Sequence, residues 1–217
     1  MQWQTFRESI RATILNDTVS SRYKWSNDEL LAYLRWSLKA LCQHTAVATA
    51  TSFVADGETS VFPIPDNCFE NVAETGAVYV ENGTTKTYLN PVKLNQLQRA
   101  VTGYYVMGSN LNLIEMPESS ETVRLYYFAY YDVPVFDTDV LTFPDWAEAA
   151  LSYKIGAHAM TKYATKFAGI NQWNRNTDKG NPEDSSMGER SLVYNAMWEQ
   201  ELSKMPPQRR ENFFRET

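Results

Sequence analysis

VRLYYFAYY (Val123–Tyr131), FPDW (Phe143–Trp146) and AEAALSYKIGAHAMTKYATKF (Ala147–Phe167) follow one another along the chain. In the first stretch, Val123, Leu125, Tyr127, Ala129 and Tyr131 share one face of a strand, while Arg124, Tyr126, Phe128 and Tyr130 share the other. Neither face has the polarity of a solvated surface. Such a strand is either central in a sandwich or covered by something else, another subunit included. The third stretch reads as a helix with Pro144 suited to its first turn. Its small residues, Ala147, Ala149, Ala150, Gly156, Ala157, Ala159 and Ala164, let a neighbouring helix approach closely. Gly156 in mid-helix costs about 1 kcal/mol relative to Ala, which tight packing explains. Here a β-module returns to a helical body.

Working outward toward the N-terminus, Trp3, Phe6, Ile10 and Ile14 recur at helical spacing, giving an amphipathic helix that ends near Asn16–Asp17. Ser26 and Glu29 form a capping box for a second helix, with Leu30, Leu34, Leu38 and Leu41 as its apolar stripe and Leu31 and Trp36 widening it. From about Ala48 the chain changes to short alternating runs rich in Thr, Val and Tyr. TATSFVA and TSVFPI flank Asp56–Gly57, AVYVE and TTKTYL flank Asn82–Gly83, and YYVM and LNLIEM flank Gly108–Asn110, so three hairpins are predicted. With Val123–Tyr131 this makes about seven strands, enough for a small antiparallel sandwich or barrel.

On the C-terminal side, AGINQWNRNTDKGNPEDSS (168–186) has the composition of an extended surface loop. Ser186 with Glu189 offers a capping box for a last helix, with Leu192, Val193, Ala196 and Met197 expected to face inward. Pro206–Pro207 stop it. The tail carries Arg209, Arg210 and the pair Phe213–Phe214, suited to docking by its aromatics into a partner's groove. The predicted architecture is α+β. A helical body (1–47 and 142–205) carries an inserted antiparallel β-module (48–141) and an extended tail (206–217).

Composition narrows the function. Residues 48–141 hold 4 basic and 12 acidic side chains, a poor surface for gripping nucleic acid, while the whole chain of 217 residues has net charge −6. Cys42 and Cys68 lack CxxC spacing, so a reducing, intracellular site of synthesis is expected. No apolar run has the length of a signal peptide or of a membrane span, so a soluble protein that uses no standard secretion signal is expected. His44 lies two positions from Cys42 and so on another helix face, which spoils a metal pair. His158 lacks a nucleophile motif such as GxSxG, and neither GxxxxGK[ST] nor GxGxxG occurs. Neither enzyme chemistry nor a cofactor is predicted. An enzyme reading would need a carboxylate and a nucleophile to converge on His158. The many aromatics of the β-module leave open a carbohydrate- or receptor-binding tail component.

The order of elements carries a resemblance. YKWSNDELLAYLRWSLKAL (23–41), YYVMGSNLNLIEMPESSETVRLYYFAYY (104–131), FPDWAEAALSYKIGAHAM (143–160) and the closing helix with its loose tail resemble the head-to-tail adaptor (connector) proteins of tailed bacteriophages. The resemblance implies a structural protein of the virion neck, assembled in the host bacterial cytoplasm, with no membrane association. It implies a homo-oligomeric ring of about twelve copies between the portal protein and a tail or nozzle protein, with DNA passing through unread. On this chain it assigns Arg209, Arg210, Phe213 and Phe214 to portal docking. Tyr126, Phe128, Tyr130 and Trp173 become candidates for the subunit or tail interface. The polar loop from Gly169 to Ser185 has no assignment in the resemblance.

Overall fold

In a computed structural model of the chain, residues 1–69, 77–174 and 187–205 are described, with side chains to residue 164 in the third helix. The chain forms two compact units. One joins Met1–His44 to the chain from Tyr131 through the last helix, and the other spans Thr45–Tyr130. The segment 131–141, grouped with the β-module by sequence, belongs to the helical unit. Its backbone is tied to the N-terminus: Trp3 N–H donates to Asp139 O at 2.9 Å and Gln4 N–H to Asp137 O at 3.0 Å.

The helical unit contains α1 (Trp3–Ile10), α2 (Asn27–Cys42), α3 (Ala147–Asn174) and α4 (Met187–Ser203). After α1 the chain widens into a π-helical turn, Arg11–Leu15, and stops at Asn16, whose φ of 48° is left-handed. Such a conformation ends a helix, and Asn tolerates it. Ser26 and Glu29 form the predicted capping box: Glu29 N–H donates to Ser26 Oγ and Ser26 N–H to the Glu29 carboxylate. Leu30, Leu34, Leu38 and Leu41 are buried, each contributing about 1.5–3 kcal/mol of apolar transfer. Trp36, expected to widen that stripe, is 53% exposed.

α3 is longer than its composition suggests. Ala168–Asn174, read as the start of a loop, forms its last two turns, while the rest of that loop and Ser186 lie outside the described residues. Gly156 is a point of close approach: a Cβ there would lie 2.5 Å from Ile14 Cγ2 and 3.2 Å from the Tyr194 ring. α4 is turned relative to the apolar pattern. Its inward residues are Ser191, Trp198 and Leu202, while Leu192, Val193 and Ala196 face out. The reason is polar pairing. Ser191 Oγ lies 2.7 Å from Thr161 Oγ1 and donates to Ala157 O, and Lys154 Nζ donates to Asn195 Oδ1.

The second unit contains seven strands: β1 (Val47–Val54), β2 (Val61–Pro63), β3 (Val78–Asn82), β4 (Thr85–Leu89), β5 (Tyr104–Met107), β6 (Asn110–Leu113) and β7 (Thr122–Ala129). They form two antiparallel sheets, in the orders β1-β7-β3-β4 and β2-β6-β5. Phe62, Leu111 and Leu113 of the smaller sheet share a core with Val78, Val123 and Leu125 of the larger. The β3–β4 and β5–β6 hairpins form as predicted. Their two-residue loops are Gly83–Thr84 and Gly108–Ser109, with Gly83 and Gly108 at φ 58° and 62°. The first predicted hairpin does not form, because β1 pairs with β7 and β2 with β6. Asp56 and Gly57 do make a turn, with the Asp56 carboxylate accepting from Glu58 and Thr59 N–H. That turn carries the chain from one sheet to the other.

Candidate functional site

The strand that organises the second unit resolves its own ambiguity. β7 is interior to its sheet, and Val123, Leu125, Tyr127 and Ala129 are buried. Its other face is half-buried and built of rings packed at a tilt or edge-on. Tyr79 on β3 lies 5.3 Å from Tyr88 and 5.9 Å from Tyr126, centroid to centroid. Burial and then its hydrogen bond with Tyr126 push the Tyr79 hydroxyl up to about 12. Lys86 Nζ sits 5.3 Å above the Tyr79 ring, and Arg124 donates to Glu81 at 3.2 Å. Tyr130 meets Phe69 edge-on at 5.2 Å. The rings therefore cover one another instead of standing as separate platforms. Among the predicted interface residues, Tyr126, Phe128 and Tyr130 come together on this face. Trp173 is in the last turn of α3, with its side chain outside the described ones, and Arg209, Arg210, Phe213 and Phe214 lie outside the described residues.

In the helical unit, large apolar side chains are held in solvent by rigid frames, a feature the sequence reading missed. Val135 is 78% and Phe136 68% exposed, yet both backbone N–H groups donate to the Asp139 carboxylate, at 2.8 and 2.9 Å. Beside them, Arg7 grips both oxygens of Asp137, which holds that carboxyl below its usual range. The usable signal was an Asp placed four residues after Val135, able to cap both amides. On α4, Leu192 and Val193 are also mostly exposed.

His158 lies against the rings of Tyr33, stacked at 6.2 Å, and Trp36, edge-on at 5.6 Å. Its Nε2 has no hydrogen-bond partner among the described residues, and burial, with the nearby Lys154 charge, lowers its pKa. Neither a carboxylate nor a nucleophile hydrogen-bonds to it among the described residues. There, too, no cluster of His, Cys, Asp or Glu could hold a metal, and no helix is long and apolar enough to cross a membrane.

Large apolar side chains that stand in solvent on hydrogen-bonded backbone offer a surface suited to contact with other molecules. The sequence pattern of the SU10 adaptor protein family matches residues 1–214, nearly the whole chain, and the protein belongs to that family of phage structural adaptors. No curated protein matches it.

Proposed function

We propose that this chain is the head-to-tail adaptor of a tailed bacteriophage, forming a ring at the virion neck between portal and tail. The membership of residues 1–214 in the SU10 adaptor protein family carries this reading. The ring has about twelve copies by resemblance, a closed cyclic assembly of head-to-tail contacts. The C-terminal tail docks on the portal through Arg209, Arg210, Phe213 and Phe214. Tyr126, Phe128, Tyr130 and Trp173 serve subunit or tail contacts. DNA passes through the ring without being gripped, because the excess of carboxylates in residues 48–141 repels phosphate.

Electron microscopy of portal-bearing capsids from the same source, incubated with the full chain or with one ending at Pro206, tests this. A ring beneath the portal that requires the tail is the expected result. Absence of density with folded protein in excess would overturn the adaptor position, and a lumen lined by Lys and Arg would overturn the repulsion mechanism.

A further inference from the structure

Sheets keep free edges only where something prevents their pairing or uses it. In the second unit both edges of the smaller sheet are short or blocked. β2 has three residues and ends in Pro63. β5 has four and is flanked at Tyr104 by residues 90–92, with Val92 N–H donating to Tyr104 O. β4 has five residues. β1 differs: eight residues, VATATSFV, without charge, proline or glycine, paired along its whole length to β7 on one side.

The hydrogen-bond pattern fixes which groups of β1 are unused. Tyr126 N–H donates to Ala77 O, Phe69 N–H to Phe128 O and Tyr130 N–H to Asn67 O, so the even-numbered residues of β7 bond away from β1. Its odd-numbered residues therefore bond Val47, Thr49, Thr51 and Phe53. The N–H and C=O groups of Ala48, Ala50 and Ser52 point to the open side, where no described backbone group bonds them. By the same alternation, Lys86 and Tyr88 hold the unused groups of β4.

These two edges complement each other. The outer-face side chains of β1 are small, Ala48, Ala50 and Ser52, whereas those of β4 are Lys86 and Tyr88. Lys86, the kind of charge that guards an edge, is turned back over the Tyr79 ring. Four strands alternate strictly in this sheet, so a following copy in the same orientation brings its β4 antiparallel to β1 without inversion. Pairing of two different edges repeats from copy to copy and can close as a ring, whereas β1 against β1 gives only a two-fold dimer. We propose, resting on the adaptor reading, that neighbouring copies are joined by sheet continuation, the β1 edge of one taking up the β4 edge of the next.

Hydrogen exchange at single amides, on the full chain free and bound to isolated portal rings, reads this directly. Amides of Ala48, Ala50 and Ser52 are expected to slow by about a hundred-fold or more on ring formation, while those of Thr49 and Thr51 are slow in both states. Rings in which the outward amides stay fast would overturn the proposal and leave the adaptor reading standing. Wild-type protein that forms no ring on the portal would overturn both.

Two variants identify the occupant. Ala50→Pro and Lys86→Pro each remove one outward N–H and no bond within the sheet. Added to isolated portal rings, each alone is expected to stay folded with its copies unjoined, and their mixture to give one-to-one dimers by native mass spectrometry, since one intact edge remains on each. Dimers from Lys86→Pro alone, or rings from Ala50→Pro alone, would refute head-to-tail pairing. Should Ala50→Pro fail to fold, Ser52→Pro, which removes another outward N–H of β1, poses the same question.

Discussion

Arg11 Nη1 donates to Asp17 Oδ2 at 2.8 Å, with only 1% and 4% of the two side chains exposed. The pair is completed by the chain around it. Arg11 Nη2 donates to Trp25 O and Asn27 Oδ1, its guanidinium lies 3.7 Å from the Tyr23 ring centre, and Asp17 accepts from Lys24 and Trp25 N–H. One ion pair thus anchors the link between α1 and α2, so either partner alone would be a stranded buried charge. Arg11→Met or Asp17→Leu should each destabilise the helical unit by about 3–5 kcal/mol, and the double variant by less than their sum. All six tryptophans lie outside Thr45–Tyr130, so tryptophan fluorescence during urea unfolding reports on this unit selectively. Additive losses would show that the two charges do not depend on each other.

Gly156→Ala sets two effects against each other. Helix propensity favours Ala by about 1 kcal/mol. The new Cβ, however, would lie 2.5 Å from Ile14 Cγ2, an atom close to the backbone that cannot swing aside, and 3.2 Å from Tyr194. Overpacking of this kind costs about 1–3 kcal/mol, so the net change is destabilising. Pairing it with Ile14→Ala should lessen the penalty that Gly156→Ala adds, measured against Ile14→Ala alone. A stabilised single variant would mean that α3 is free to shift away.

What was legible in the sequence was local. The Ser26–Glu29 box and the turns at Gly83 and Gly108 are decided by residues a few positions apart, and each forms. Asp56–Gly57 signals a turn equally well, but a turn does not choose a strand's partner: β1 pairs with β7, some seventy residues on. The facing of α4 was misread because apolar periodicity ignores polar burial, and here Ser191 and Asn195 find partners on α3. Asn171 and Asn174 suggested a loop where α3 continues. Of the candidate interface, the aromatic face of β7 was readable by alternation. The free edge of β1 was not, since an edge exists only once the sheet order is known.

The grip of Arg7 on Asp137 implies a stability loss in acid. The carboxyl is held below its ordinary 3.8 by that hydrogen bond, and Glu29 is held below 4.5 by Lys162 and then by the Ser26 N–H. A depressed acid contributes stability that is present above its unfolded value and is lost as pH falls through the folded one. The helical unit should therefore lose thermal stability below about pH 4.5. Asp137→Asn should cost at most about 1 kcal/mol at neutral pH, because the carboxylate is half exposed, and should flatten the acid limb. An unchanged acid limb in that variant would show that the pair contributes nothing.

His158 acts in a different window. Burial, helped by Lys154, lowers its pKa below the ordinary 6.5, so the unfolded chain binds a proton there before the folded one does. Stability must then fall as pH drops below 6.5 and level off beneath the folded value. His158→Phe keeps a ring against Tyr33 and Trp36 and removes the titration. Thermal midpoints followed by tryptophan fluorescence at pH 7.5 and pH 5 should converge in this variant more closely than in the wild type. Equal slopes in the two proteins would mean that His158 titrates alike in the folded and unfolded chain, and that its ring is not sealed from water.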